Sequence, residues 1–151
     1  MVTRPLLLAS DHAGFELKER LKGLLESQNI PIADLGTTSA ESVDYPDYAR
    51  KVAQAVSSGE ADRGVLVCGS GQGMAMTANR FPRVRAAVPF DEETARLSRE
   101  HNDANVLALG ARTLDHAVAE RILLTWLATP FAGGRHERRV RKIDDPSSPP
   151  P

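Results

Sequence analysis

Short apolar runs alternate along the chain with longer stretches in which apolar residues recur at helical spacing. Leu6-Leu7-Leu8-Ala9 reads as a buried first strand. Phe15, Leu17, Leu21, Leu24 and Leu25 then follow the helical period, with Glu and Lys on the other face. Ile30 to Leu35 predicts a second strand ending at Gly36, and Tyr48 to Val56 a helix whose apolar stripe is Val52, Ala55 and Val56. Gly64-Val65-Leu66-Val67 predicts a third strand that runs straight into a glycine-rich loop. Met74 to Asn79 predicts a short helix, Val84 to Val88 a strand, and Glu92 to Glu100 a helix. Val106 to Leu109 predicts a fifth strand and Val118 to Leu127 a fifth helix. Gly133-Gly134 breaks the pattern before a last basic segment, Arg135 to Lys142, read as a C-terminal helix.

Strands alternating with helices predict an α/β protein: a three-layer Rossmann-like fold around a five-stranded parallel sheet. The expected strand order is 2-1-3-4-5, in which the chain reverses direction between strands one and three. Ligands in such sheets bind beyond the C-terminal strand ends at that reversal. The segments predicted to meet there are Ser10-Asp11-His12-Ala13-Gly14 and Cys68-Gly69-Ser70-Gly71-Gln72-Gly73. Topology and chemistry thus point to the same edge.

The length of 151 residues suits one domain, expected over 1–143. Residues 144–151, which end in Pro146-Ser147-Ser148-Pro149-Pro150-Pro151, have no apolar face to bury and are expected to form a disordered tail. A net charge of −1 argues against a protein that coats nucleic acid or an anionic membrane. One cysteine excludes an intramolecular disulfide and a cysteine-based zinc cluster. No apolar stretch approaches the length of a membrane span, and Met1-Val2-Thr3-Arg4-Pro5 shows no signal-peptide core. The expectation is a cytoplasmic protein.

In the glycine-rich loop, Gly69, Gly71 and Gly73 permit tight turns and let backbone N–H groups approach an anion or a developing oxyanion. The spacing is not that of a dinucleotide fingerprint, and no P-loop lysine is present. A phosphatase loop would place arginine six positions after the cysteine, where this chain has Met74. A cysteine at a helix start is favoured as thiolate, the form a base or nucleophile requires. The competing reading is a tight turn around an inert, buried Cys68.

His12 follows Asp11 at the proposed ligand edge, as a donor or as part of a helix cap. His101, in Glu100-His101-Asn102-Asp103, falls at the C-terminal end of the fourth helix, where a positive charge is also favourable. His136 lies in the basic run, either in solvent or against a phosphate. Arg135 and Arg139 are spaced i and i+4, which puts both guanidiniums on one helix face, suited to the several oxygens of a phosphate monoester. Arg112 follows the fifth strand, and Asp44-Tyr45-Pro46 either carries an aromatic hydroxyl over the site or makes a turn. Helices run antiparallel to the strands, so His101 is expected at the edge opposite the first-strand loops. It can serve Cys68 only from a second subunit, which predicts a dimer with a shared site.

These segments resemble the type B ribose-5-phosphate isomerase family, which also includes galactose-6-phosphate isomerase subunits. The resemblance rests on Ser10-Asp11-His12-Ala13-Gly14-Phe15-Glu16-Leu17-Lys18, Asp44-Tyr45-Pro46, Val67-Cys68-Gly69-Ser70-Gly71, Ser98 to Leu107 and Gly133-Gly134-Arg135-His136, in order across residues 6 to 143. It implies interconversion of an aldose phosphate and a ketose phosphate through an enediol, without metal or cofactor. By matching position, Cys68 is the base, Ser70 assists proton traffic between the oxygens, and His101 opens the sugar ring. Backbone N–H groups of Gly69, Gly71, Gln72 and Gly73 would stabilise the enediolate. Asp11, Tyr45 and Asn102 match sugar contacts, and His12, Arg112, Arg135 and Arg139 match phosphate contacts. The family forms homodimers with shared sites, with pairing into tetramers left open. Some members use a glutamate after the glycine loop as base. Met74 and Ala75 cannot do that work here, so the role falls to Cys68. A six-carbon or four-carbon sugar phosphate as substrate, or a non-catalytic sugar-phosphate sensor, are the alternatives.

Overall fold

The computed structural model describes residues 4–151; Met1, Val2 and Thr3, part of the N-terminal segment considered above, lie outside the described residues. Five parallel strands are β1 (Leu6–Ser10), β2 (Ile32–Asp34), β3 (Gly64–Cys68), β4 (Ala86–Ala87) and β5 (Val106–Gly110). Between and after them run α1 (Phe15–Ser27), α2 (Tyr45–Ser58), α3 (Gln72–Ala78), α4 (Glu92–Glu100), α5 (His116–Ala128) and α6 (Arg135–Asp144).

Each strand side chain points alternately to one face or the other, and both faces are covered. Leu6 and Leu8 of β1 and Val65 and Val67 of β3 pack against Leu17, Leu21 and Leu25 of α1 and Ile122, Leu123 and Trp126 of α5. Leu7, Ala9, Leu66 and Cys68 face the other way, onto Val52 and Val56 of α2 and Met74 and Ala78 of α3. The three-layer expectation holds.

The strand order is β2-β1-β3-β5-β4, so the expected 2-1-3-4-5 has its last two strands exchanged. The physical reason is coverage. Val106-Leu107-Ala108-Leu109-Gly110 is buried at every position, as an interior parallel strand must be, whereas β4 is two half-buried residues at the edge. Arg85, just before β4, sends its side chain out to Asp103 and Asp144. The reversal between β1 and β3 is as expected, because Ser10 pairs with Val67 across that junction.

Candidate active site

β3 carries Cys68 to the C-terminal edge of the sheet, and hydrogen bonds to neighbouring loops fix the turn that follows. Ala111 N–H donates to the Cys68 carbonyl at 2.8 Å and Arg112 N–H to that of Gly69 at 2.9 Å. The loop after β3 is therefore tied to the loop after β5. Gly71 has φ of 80°, and a Cβ there would come within 3.1 Å of Leu109 and Val88. Both conformation and space demand glycine at this point. The turn aims the Gly71 N–H at Cys68 Sγ, 3.2 Å away. Cys68 is 4% exposed, and its sulfur accepts this N–H inside the turn.

Other side chains close around this turn. Ser70 Oγ accepts from the Gln72 N–H at 3.3 Å. The Tyr45 ring, at the start of α2, lies so near Gly73 that a Cβ there would be 2.5 Å from it. Arg112 runs over Gly69, with its Cδ and one guanidinium nitrogen each 3.6 Å from the position of a Cβ. From β1, buried Asp11 accepts the Gly14 N–H at 3.0 Å, which shapes the entry to α1. His12 Nδ1 lies 3.1 Å from the Val43 nitrogen and 3.2 Å from its carbonyl oxygen, so the other ring nitrogen is left for a ligand. Asp11, His12, Val43, Asp44, Tyr45 and Arg50 line a cleft of about 510 Å³ beside this turn.

A second group gathers at the other end of the sheet. His101 ends α4, and a few residues on, the Asn105 carbonyl accepts the N–H of Gly64, the first residue of β3. Gly64 and Cys68 are four strand steps apart, roughly 13 Å at ~3.3 Å per residue. The Ala132 N–H donates to the Glu100 carbonyl at 3.1 Å, bringing α6 beside the end of α4. The rings of His101 and His136 stack there, with centroids 4.2 Å apart and planes 13° from parallel. Asn102 is exposed on the same turn. Arg141 takes Glu137, the one acid in the first turn of α6, at 2.7 Å. Arg135 and Arg139 are exposed on this helix, with no ion-pair partner among the described residues.

The structure thus assembles Asp11, His12, Tyr45, Cys68, Gly69, Ser70, Gly71, Gln72, Gly73 and Arg112 at one edge. It places His101, Asn102, Arg135 and Arg139 at the other. The four residues expected to hold one phosphate do not meet within one chain. Sequence reasoning placed His101 at the far edge but did not place the two arginines with it. It also did not choose between solvent and phosphate for His136. The adjacency of His136 to Arg135 was the available signal. Val43, which engages His12 through its backbone, left none.

Fold and site together define an α/β enzyme whose ligand edge lies at the switch point between β1 and β3. The model of the Ribose/Galactose Isomerase family matches residues 6–143, and the chain belongs to that family and is an isomerase. It is 43% identical over 140 residues to ribose-5-phosphate isomerase B of Escherichia coli, covering 93% of this chain and 94% of that one. The structure of Clostridium thermocellum ribose-5-phosphate isomerase B superposes with a TM-score of 0.92 at 48% identity, covering 95% of this chain and 97% of the other. The Mycoplasma genitalium ribose-5-phosphate isomerase B, solved with bound ribulose-5-phosphate, gives a TM-score of 0.90 at 38% identity, with 95% of each chain covered. Among the described residues, no helix is long and apolar enough to cross a membrane.

Proposed function

We propose that this chain interconverts ribose 5-phosphate and ribulose 5-phosphate in the cytoplasm, as a homodimer in which each site takes Cys68 from one chain and His101 from the other. The observation that carries this reading is the separation of two complementary residue sets to opposite ends of β3. One set has a base and backbone donors; the other has an imidazole and the guanidiniums of Arg135 and Arg139. Met76 and Phe90 stand 67% and 69% exposed on segments that flank the Cys68 turn, which suits a face covered by another chain.

In this reading His101 takes the O1 proton of the furanose as the C1–O4 bond breaks, and returns a proton to O4. The Cys68 thiolate then removes the C2 proton, leaving an enediolate, and delivers the proton to C1. Ser70 passes the hydroxyl proton between O1 and O2, while N–H groups of the glycine turn hold the developing oxyanion. Asp11, Tyr45 and Asn102 contact the sugar. The phosphate sits among His12 and Arg112 of the base-bearing chain and Arg135 and Arg139 of the other, where planar donor forks match its oxygens. No step calls for a metal or cofactor.

Two assays test this. Purified protein in EDTA should isomerise ribose 5-phosphate faster than galactose 6-phosphate or a tetrose phosphate. Turnover of only another sugar would keep the chemistry and change the substrate; binding without any turnover would favour a sensor. Secondly, inactive Cys68→Ala and inactive His101→Ala chains, mixed and allowed to exchange, should recover about a quarter of wild-type activity through mixed dimers carrying one intact site. No recovery would place each site within a single chain.

A further inference from the structure

A catalytic imidazole needs a third group to fix its orientation, usually through a hydrogen bond to the nitrogen not in use. Among the described residues, the His101 ring has no hydrogen-bond partner of that kind. Its directional contact is the face of His136, 4.2 Å between centroids and 13° from parallel. We propose that His136 positions His101 by ring stacking, presenting the sugar-facing imidazole in one orientation. This rests on the ring-opening role given to His101 above.

The surrounding structure is built to hold the contact. Gly133 and Gly134, both at positive φ and in open space, turn the chain so that α6 starts against the end of α4. The Ala132 N–H to Glu100 carbonyl bond pins that turn one residue before His101, and the His136 N–H closes it on the Gly133 carbonyl at 3.1 Å. At the other end of α6, Asp144 receives Arg85 at 2.8 Å. Val140 is the helix's one buried residue, so α6 is located chiefly by its two ends. The histidine stack is one of them.

The charges around the pair divide the two rings. From α6, Arg135 and Arg139 flank His136. From α4, Glu100 faces it with an opposing charge, itself bonded to Arg96 at 2.5 Å, and Glu93 lies on the His101 side. Desolvation, then His101, then the two arginines hold the His136 imidazole below its ordinary ionisation range, against the pull of Glu100. The same surroundings favour the neutral form of the His136 ring. A stacked neutral ring supplies orientation without a competing charge.

The test uses the full-length protein with His136→Ala and His136→Phe, and Arg139→Ala for contrast. His136→Ala should lower kcat for ribose 5-phosphate by about tenfold or more while KM stays within about threefold. His136→Phe, which keeps a flat face and cannot ionise, should restore most of kcat and leave the pH dependence of kcat in place. Arg139→Ala should instead raise KM. A raised KM with intact kcat in His136→Ala would make His136 a phosphate ligand and overturn the proposal, as would a Phe variant no better than Ala. Imidazole proton spectra of the ligand-free protein provide a readout independent of turnover. His101 signals should move in His136→Ala through loss of the neighbouring ring; unchanged signals would show the rings are apart, whatever sugar the protein accepts.

Discussion

The two ends of the sheet are built by different rules. At the Cys68 end the cysteine is 4% exposed, and its turn is fixed by bonds from Ala111 and Arg112 and by crowding at Gly71. At the His101 end Arg135 and Arg139 stand on the surface of a helix with one buried residue, and the glycines that precede it face empty space. Proton abstraction from carbon needs a base and oxyanion donors placed by rigid packing. Phosphate capture needs charge and reach, which long exposed side chains provide. In the proposed mechanism, one chain separates the two tasks into core and periphery.

The sharpest way to break this contrast is Cys68→Ala, which should lower kcat at least about a thousandfold while the melting midpoint moves only a few degrees. Retained turnover would take the base out of the core. Next comes a pair of glycine substitutions. Gly71→Ala combines positive φ with a Cβ 3.1 Å from Leu109 and Val88, and should cost about 3 kcal/mol of stability in urea unfolding. Gly133→Ala has positive φ but open space, and should cost only about 1 kcal/mol. Equal costs would mean the two turns are equally confined. Arg139→Ala should raise KM by about tenfold to a hundredfold, or ~1.4–2.8 kcal/mol, with kcat within about threefold. A loss confined to kcat would contradict a binding role.

The smallest effect concerns the clip behind the Cys68 edge. Asp34 receives Lys18, which is fully buried, at 2.6 Å, Lys22 at 2.8 Å and the Gly36 N–H at 2.9 Å. Gly36 and Thr37 in turn bond to Ser10 at the end of β1. Burial alone would raise the Asp34 ionisation; the two lysines and the N–H outweigh it and hold the carboxyl below its usual range. A carboxylate with a lowered folded pKa contributes stability that is complete above its unfolded value and lost as pH falls through the folded one. The gap between wild type and Asp34→Asn in urea unfolding should be present at neutral pH and close as pH falls below the ordinary carboxylate range. A gap that persists in acid would assign the clip to packing rather than charge.

Much of this was legible in the chain because the alternation of apolar runs and helical stripes is local. The Cys68 turn was legible for the same reason: its glycines, cysteine and serine are contiguous, and topology alone put His12 beside it. The exchange of β4 and β5 was harder, since edge order is set by which strand has both faces covered. A trace existed in Arg85, a charge inside Val84-Arg85-Ala86-Ala87-Val88, which an interior parallel strand does not tolerate. The stacking of His136 on His101 joins residues 35 apart through a loop geometry that residue spacing does not encode. The split of Arg135 and Arg139 from Arg112 needed the position of α6, which follows from Ala132, Arg85 and Asp144 rather than from its own pattern.

In the proposed dimer, α6 has a consequence for how sugars are measured. Each chain holds only one end of the ruler: the carbon that loses its proton is fixed by one polypeptide, and two of the guanidiniums that grip the far end belong to the other. The span between them is written into the docking of the two chains. Substitutions at Met76 or Phe90, which touch no reacting atom, would then change the length of sugar admitted while leaving the chemistry alone.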